Sequence, residues 1–163
     1  MLSLKLLHEL LGYNPETGIF TWKVSRRGRT WAGKVAGCVN PRGYITLGVC
    51  GAQHPAHRVA WLYMHGAWPD GEVDHINGIK TDNRMCNLRV ATRIENSRNV
   101  GLTSKNKTGI KNVYWHSGHK KYRACIDVDR KEVHLGYFTN LSDAEAVVAE
   151  ARVKYHGDFA CHK

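Results

Sequence analysis

Acidic residues are missing from two long stretches of this chain. None occurs from Thr17 to Pro69, and none from Asn96 to Ile126. The first stretch carries Lys23, Arg26, Arg27, Arg29, Lys34, Arg42 and Arg58; the second carries Arg98, Lys105, Lys107, Lys111, Lys120, Lys121 and Arg123. The acids cluster in 70–95 and after 126, and the net charge is +10. Two bare basic zones flanking an acidic middle point to a polyanionic partner on each side of a reactive centre. Long hydrophobic runs are also missing. No run approaches the roughly 18 apolar residues of a membrane span, so no transmembrane helix and no membrane partner are expected. Leu2 to Leu11 is broken by Lys5, His8 and Glu9, which argues against a secretory core and makes the cytoplasm the expected location. The five cysteines, Cys38, Cys50, Cys86, Cys125 and Cys161, are odd in number and scattered, with no Cys-x-x-Cys. That argues against a disulfide framework or a zinc knuckle and predicts reduced, mostly buried thiols.

With 163 residues, 42% of them hydrophobic, the chain can bury a core as one domain or two small ones. Residues 3–11 read as a helix, with Ser3 as N-cap and Gly12 as its stop. Asn14 to Gly18 is a turn signal before a strand over Ile19 to Trp22. Residues 25–42 read as an exposed loop, Tyr44 to Val49 as a strand, and His57 to His65 as a helix ended by Gly66. Glu72 to His75 and Asn87 to Thr92 read as short strands around a loop. Thr92-x-x-Glu95 has the capping-box pattern for a helix to about Asn99. Residues 101–109 are small, polar and basic, as in a linker. Strands follow at Asn112 to His116, Lys121 to Val128 and Glu132 to Tyr137, with Asp129-Arg130 as a hairpin turn. Ser142-x-x-Glu145 opens a final helix stopped by Gly157. Trp115, Leu135 and Phe138 are expected beneath it.

The chemistry concentrates in Val73-Asp74-His75-Ile76-Asn77-Gly78, followed by Asp82-Asn83-Arg84, Asn87-Leu88-Arg89 and Asn96. His75 is the residue type that takes a proton from water near neutral pH. Asp74 and Asn96 offer hard oxygen ligands suited to Mg²⁺ or Mn²⁺ rather than structural Zn²⁺. Asn87 is placed to orient the His75 ring. Asn77 and Asn83 fit loop braces. His57 and Arg58 have two readings, a phosphate contact or a tie between helix and core. Arg89 and Arg93 lie where they can clamp a phosphate.

With His57-Arg58 ahead of it and Thr92 within it, this ordered set over 54–99 resembles the HNH endonucleases, in particular the phage and intron-encoded branch. The resemblance implies a ββα-metal core at about 70–100. Asp74 and Asn96 would hold one divalent ion, His75 would act as general base, and Asn87 would accept a hydrogen bond from its ring. Better-known HNH toxins have histidines at the Asp74 and Asn96 positions and a further ligand one turn later, where this chain has Val100. A weakly held Mg²⁺ or Mn²⁺ is implied.

Thr108 to Trp115, Tyr122-Arg123-Ala124, His134 to Phe138 and Ala144-Glu145-Ala146 resemble the Apetala-type (ethylene-response-factor-like) DNA-binding domain over about 106–160. Such domains lay a three-stranded sheet in the major groove with a helix behind. Lys111, Tyr114, Lys121, Arg123 and His134 are the DNA-facing candidates. Plant versions usually have Arg where Lys111 and Tyr114 stand, so base preference need not carry over. The expected fold class is α+β. An N-terminal region and HNH nuclease domain span 1–100, a linker spans 101–109, and an Apetala-type domain spans 110–163. The expected function is a phage-encoded, homing-type endonuclease. Acting as a monomer or weak dimer, it nicks one strand of double-stranded DNA. The alternatives are a non-catalytic DNA-binding regulator and a ribonuclease or general nuclease toxin.

Overall fold

The computed structural model describes residues 2–25, 31–99, 101–102, 104 and 106–159. Arg26, Arg27, Arg29, Val100, Lys105 and Cys161 lie outside them. The chain divides into two compact units, Met1–Thr92 and Arg93–Lys163, and the fold is mixed α and β.

In the first unit, α1 (Leu4–Leu10) is capped by the Ser3 hydroxyl, which accepts from the Leu6 amide. Gly12 is not its stop. Leu11 is already extended and fully buried, and β1 (Leu11–Asn14) pairs with β2 (Ile19–Trp22). Packing of Leu11 into the core ends the helix, a cause with no sequence signature of its own. Asn14 shapes the turn, its side chain accepting from the amides of Glu16 and Thr17. The segment read as a loop over 25–42 contains β3 (Val35–Ala36), which pairs with β2, and β4 (Cys38–Val39). Two-residue strands are too short to show a period. β5 (Ile45–Val49) pairs with β4 and with β6 (Ala52–Pro55). α2 (Ala56–His65) ends at Gly66, whose φ of 78° is the left-handed cap glycine accepts best. Its buried side chains Val59, Ala60 and Leu62 join Leu7, Leu11, Phe20, Leu47 and Val49 in one core. β7 (Glu72–His75) and β8 (Leu88–Ala91) form an antiparallel pair. Met85–Asn87, partly assigned to a strand from sequence, is a 3-10 turn.

In the second unit, α3 (Arg93–Arg98) opens just after Thr92. The sheet runs β11-β10-β9, from β9 (Val113–His116), β10 (Lys121–Val128) and β11 (Lys131–Phe138). Asp129 and Arg130 make the β10–β11 turn with φ of 49° and 67°, both left-handed as a tight hairpin turn requires. α4 (Leu141–His156) starts after Asn140 rather than at Ser142. The core is Val113, Ala124, Ala144 and Val148, with Leu135 and Phe138 packed against it. Trp115 is 54% exposed, against expectation. It pairs with Tyr122 at the outer strand, where the helix does not cover it. Residues 106–109 are tied down, not a bare linker. Asn106 donates to the carbonyls of Ile110 and Val113, and the Thr108 hydroxyl donates to Val113 at 2.8 Å. The described cysteines are free thiols, but Cys38, Cys50 and Cys86 are exposed and Cys125 alone is buried.

Candidate active site

The β7–β8 pairing places Asp74 opposite Arg89 and His75 opposite Leu88. Cross-strand neighbours on one face meet. Arg89 donates from Nε and Nη2 to the same Asp74 oxygen, Oδ2, at 3.1 and 2.9 Å. Both side chains are largely buried. Arg89, a phosphate-clamp candidate from sequence, is therefore the ion-pair partner of Asp74.

The loop between the strands is closed by its own polar side chains. The Asn77 side chain donates to Asp82 Oδ2 at 2.7 Å and accepts from the Ile79 amide at 2.8 Å. Asp82 also takes a two-pronged bond from Arg84, at 2.8 and 2.6 Å. Those bonds to the charged form hold the Asp82 carboxyl down at about 2. Asn87 accepts from the Asn77 amide at 2.9 Å and donates to the Asp82 carbonyl at 2.8 Å. Its amide is thus committed to the loop, and it does not hold His75. His75 donates to Asn83, whose Oδ1 lies 3.1 Å from Nε2. The Asn83 amide donates to the Thr81 carbonyl at 3.4 Å, which turns its oxygen toward the ring. An acceptor facing Nε2 requires Nε2–H, so the ring's lone pair sits on Nδ1.

Asn83 is itself held from outside the loop. Tyr13 donates its hydroxyl to the Asn83 carbonyl at 2.7 Å, and the Met85 amide donates to the Pro15 carbonyl at 2.9 Å. Burial pushes the Tyr13 phenol up to about 12, so it stays a donor throughout the working range. Gly18, with φ of 72°, passes so close that a Cβ there would meet Arg84 N and the Asn83 carbonyl carbon at 2.5 Å. The β1–β2 hairpin therefore backs the loop that orients His75.

His57, on α2, packs its ring edge-on against His75 with centroids 5.0 Å apart, and Tyr44 lies against both rings. Burial, then the neighbouring His75 and Arg58, lowers the His57 pKa to about 4. Arg58 ties α2 to the approach of β7, donating to the carbonyls of Gly71 at 2.8 Å and Pro69 at 3.4 Å. Of its two readings from sequence, the tie is the one its bonds describe.

Asn96 and Arg93 lie on α3, in the second unit. Among the described residues no group of three or more His, Cys, Asp or Glu is gathered as a metal site. Asp74, in the first unit, offers a carboxylate oxygen, a hard donor of the kind Mg²⁺ and Mn²⁺ favour. On the sheet of the second unit, Arg123 stands opposite both Tyr114 and Tyr137, and pairs with Glu132. Lys121 stands opposite His116, and His134 packs on Tyr137 at 4.7 Å. Lys111 donates instead to the Arg98 carbonyl at 2.6 Å.

The HNH endonuclease family model matches residues 54–98, the segment that carries this geometry. Protein 3.8 of Escherichia phage T7 is 30% identical over 105 residues, which is 64% of this chain and 86% of that protein. The chain carries an HNH endonuclease domain over 54–98 and belongs to one family with that phage protein. The domain supports a nuclease activity and implies DNA binding, and HNH nucleases generally depend on a divalent metal. No solved structure matches the chain. Among the described residues no helix is long and apolar enough to cross a membrane.

Sequence reasoning missed the roles of Asn83, Tyr13 and Gly18. The only signal for Asn83 was its place in Asp82-Asn83-Arg84, at a fixed distance after His75. Nothing in the sequence linked Tyr13 or Gly18, some 70 residues away, to that loop.

Proposed function

We propose that the protein is a phage-encoded, homing-type HNH enzyme that hydrolyses phosphodiester bonds in duplex DNA and nicks one strand per encounter. The observation that carries this reading is the adjacent pair Asp74 and His75 on β7, with the His75 ring oriented by Asn83. His75 takes a proton from water through Nδ1. The oxygen attacks phosphorus, the bond to the 3′ oxygen breaks, and that oxygen leaves with a proton to give 5′-phosphate and 3′-hydroxyl ends. Asp74 is the residue of the first unit that would hold the divalent ion. Such an ion, when bound, relieves charge on the phosphate and on the departing oxygen. Arg89 holds the Asp74 carboxylate in a single orientation. One base serves one strand, so a monomer nicks, and a double-strand break needs a dimer or two events.

The second unit serves as the DNA-positioning module. Tyr114, Lys121, Arg123 and His134 lie on its sheet for groove and phosphate contacts, as in an Apetala-type domain. Lys111 and Arg93 add charge beside it. The phage relative supports a phage origin.

The test is purified protein on supercoiled plasmid with Mg²⁺, Mn²⁺ or EDTA, with His75→Ala alongside. Metal-dependent open circles that the variant does not produce are expected. Binding without cleavage under every metal, or equal cleavage by the variant, overturns the reading.

A further inference from the structure

Lys80 is exposed on the loop between β7 and β8, the loop that carries Asn83. Its ammonium reaches out of that loop. It donates to the Arg42 carbonyl at 3.0 Å and lies over the Tyr44 ring, 4.8 Å from its centre. Tyr44 also lies against His75, with ring centres 6.0 Å apart. One aromatic ring therefore has both the ammonium and the proposed base as neighbours.

The turn that Lys80 reaches is closed by its own bonds. Asn40 Oδ1 accepts from the amides of Arg42 and Tyr44 at 2.9 and 3.1 Å, and the Asn40 carbonyl accepts from the Gly43 amide at 2.8 Å. An asparagine bonded to the backbone two residues on fixes such a turn. Arg42 is exposed, and its hydrogen bonds use its backbone N–H and carbonyl. The guanidinium is thus carried on a fixed base.

Among the described residues neither cation pairs with a carboxylate. Asp82, two residues from Lys80, is taken by Arg84 and Asn77, and Asp74 is taken by Arg89. The sequence around Arg42 holds no acid from Thr17 to Pro69. The fold therefore ties two uncompensated positive residues together beside the base. Like charges gathered in one place repel, and an anion that bridges them relieves the repulsion. A DNA strand brings such anions at regular spacing, about one per 3.4 Å of helix axis. A strand with its scissile phosphate at His75 carries further phosphates past the residues next to it.

We propose that Lys80 and Arg42 form a phosphate subsite, which grips the DNA at a phosphate flanking the bond that His75 attacks. The proposal rests on the nuclease reading and adds a substrate contact made by the first unit itself. Affinity is then not left to the sheet of the second unit alone. Ionic contacts beside the cutting site hold the scissile phosphate in register with the base.

The test uses Lys80→Met, Arg42→Met and the double variant in the full chain, with Lys80→Arg as the conservative change. Met keeps an apolar stem over Tyr44, and Arg42→Met keeps the carbonyl that Lys80 holds. The first readout is the salt dependence of duplex binding in EDTA, which needs no cleavage. Each single Met variant is expected to lower the slope of log K against log salt by about 1, and the double variant by about 2. Lys80→Arg is expected to keep the parent slope. The second readout is nicking with Mg²⁺ of a duplex carrying one uncharged methylphosphonate, moved in turn through the phosphates on either side of the mapped nick. One flanking position is expected to raise the parent's KM by about ten-fold and to leave the double variant unaffected. Parent slopes in both Met variants, with a lower melting temperature for Lys80→Met, would mean that Lys80 only ties the turn, and overturn the proposal. So would a methylphosphonate effect that persists in the double variant, or one found nowhere beside the nick. A parent protein that binds but never nicks overturns the nuclease reading instead, and the slopes then still decide whether Lys80 and Arg42 meet a phosphate.

Discussion

His75 donates its Nε2–H to Oδ1 of Asn83 across 3.1 Å, and both side chains are buried. This bond decides which nitrogen of the imidazole can act as a base. It is made by a residue on the loop between β7 and β8, and that loop is held from the other side by Tyr13 and Gly18.

Replacing Asn83 by Ala removes the tautomer lock and strands a buried ring N–H. Outer partners of this kind typically contribute 10- to 100-fold to activity, and an unpaired buried donor costs about 1–3 kcal/mol. The nicking rate of Asn83→Ala is expected to fall by about 10- to 100-fold with DNA affinity unchanged. Plasmid nicking, gel shift and thermal unfolding read the three quantities separately. A rate equal to the parent's would remove Asn83 from the mechanism.

Arg89→Ala leaves the Asp74 carboxylate buried without its ion-pair partner. Breaking such a pair costs on the order of 3 kcal/mol. The variant is expected to unfold at lower denaturant. Because a divalent cation can take over the neutralisation of Asp74, Mg²⁺ should raise the variant's melting temperature more than the parent's. No difference between the two in Mg²⁺ response would argue that Asp74 does not meet the ion.

Acid is expected to destabilise the fold through His57. Its pKa is about 4 in the folded chain against an ordinary 6.5. Between those values the unfolded chain binds more protons than the folded one, so stability falls as pH falls from about 6.5 toward 4. A difference of that size corresponds to about 3 kcal/mol once pH is well below 4. Asp82, lowered to about 2, adds its own loss only below the ordinary carboxylate range. Urea unfolding at pH 7 and pH 4.5 should show a smaller acid loss for His57→Phe than for the parent. Equal losses would place the acid sensitivity elsewhere.

Lys121, exposed on β10 opposite His116, is assigned to a phosphate. Lys121→Ala should weaken binding to unrelated duplexes alike and lower the salt slope of log K by about 1. A loss confined to one sequence would instead mean that the side chain reads bases.

The secondary structure legible in the sequence was that with a clear period or punctuation. β10 was marked by its alternation and its bounds match, although a bulge at Ala124–Cys125 interrupts the alternation in the strand itself. α2 showed its cap glycine, and the Asp129-Arg130 turn declared itself by where the alternation broke. The pieces that escaped are set by tertiary contact: β3 and β4 are too short for a period, and Gly12 marks no helix end because Leu11 packs into the core. The site followed the same division. Asp74 and His75 stood out by their adjacency. The exchange of roles between Asn87 and Asn83 did not, because two asparagines in one loop differ only in which way the backbone aims them. Arg89 was read for its charge and is found paired with Asp74, while Arg58 had two readings and its bonds follow the tie.

The docking of the β1–β2 hairpin on the Asn83 loop bears on portability. The residues proposed for the cutting chemistry are drawn from a stretch that looks like a movable cassette. Yet Tyr13, Pro15 and Gly18 act on it as a scaffold splint from far upstream. A chimera that transplants 54–98 alone would carry the base without the support that aims it, whereas a graft taking the hairpin along would move a working part.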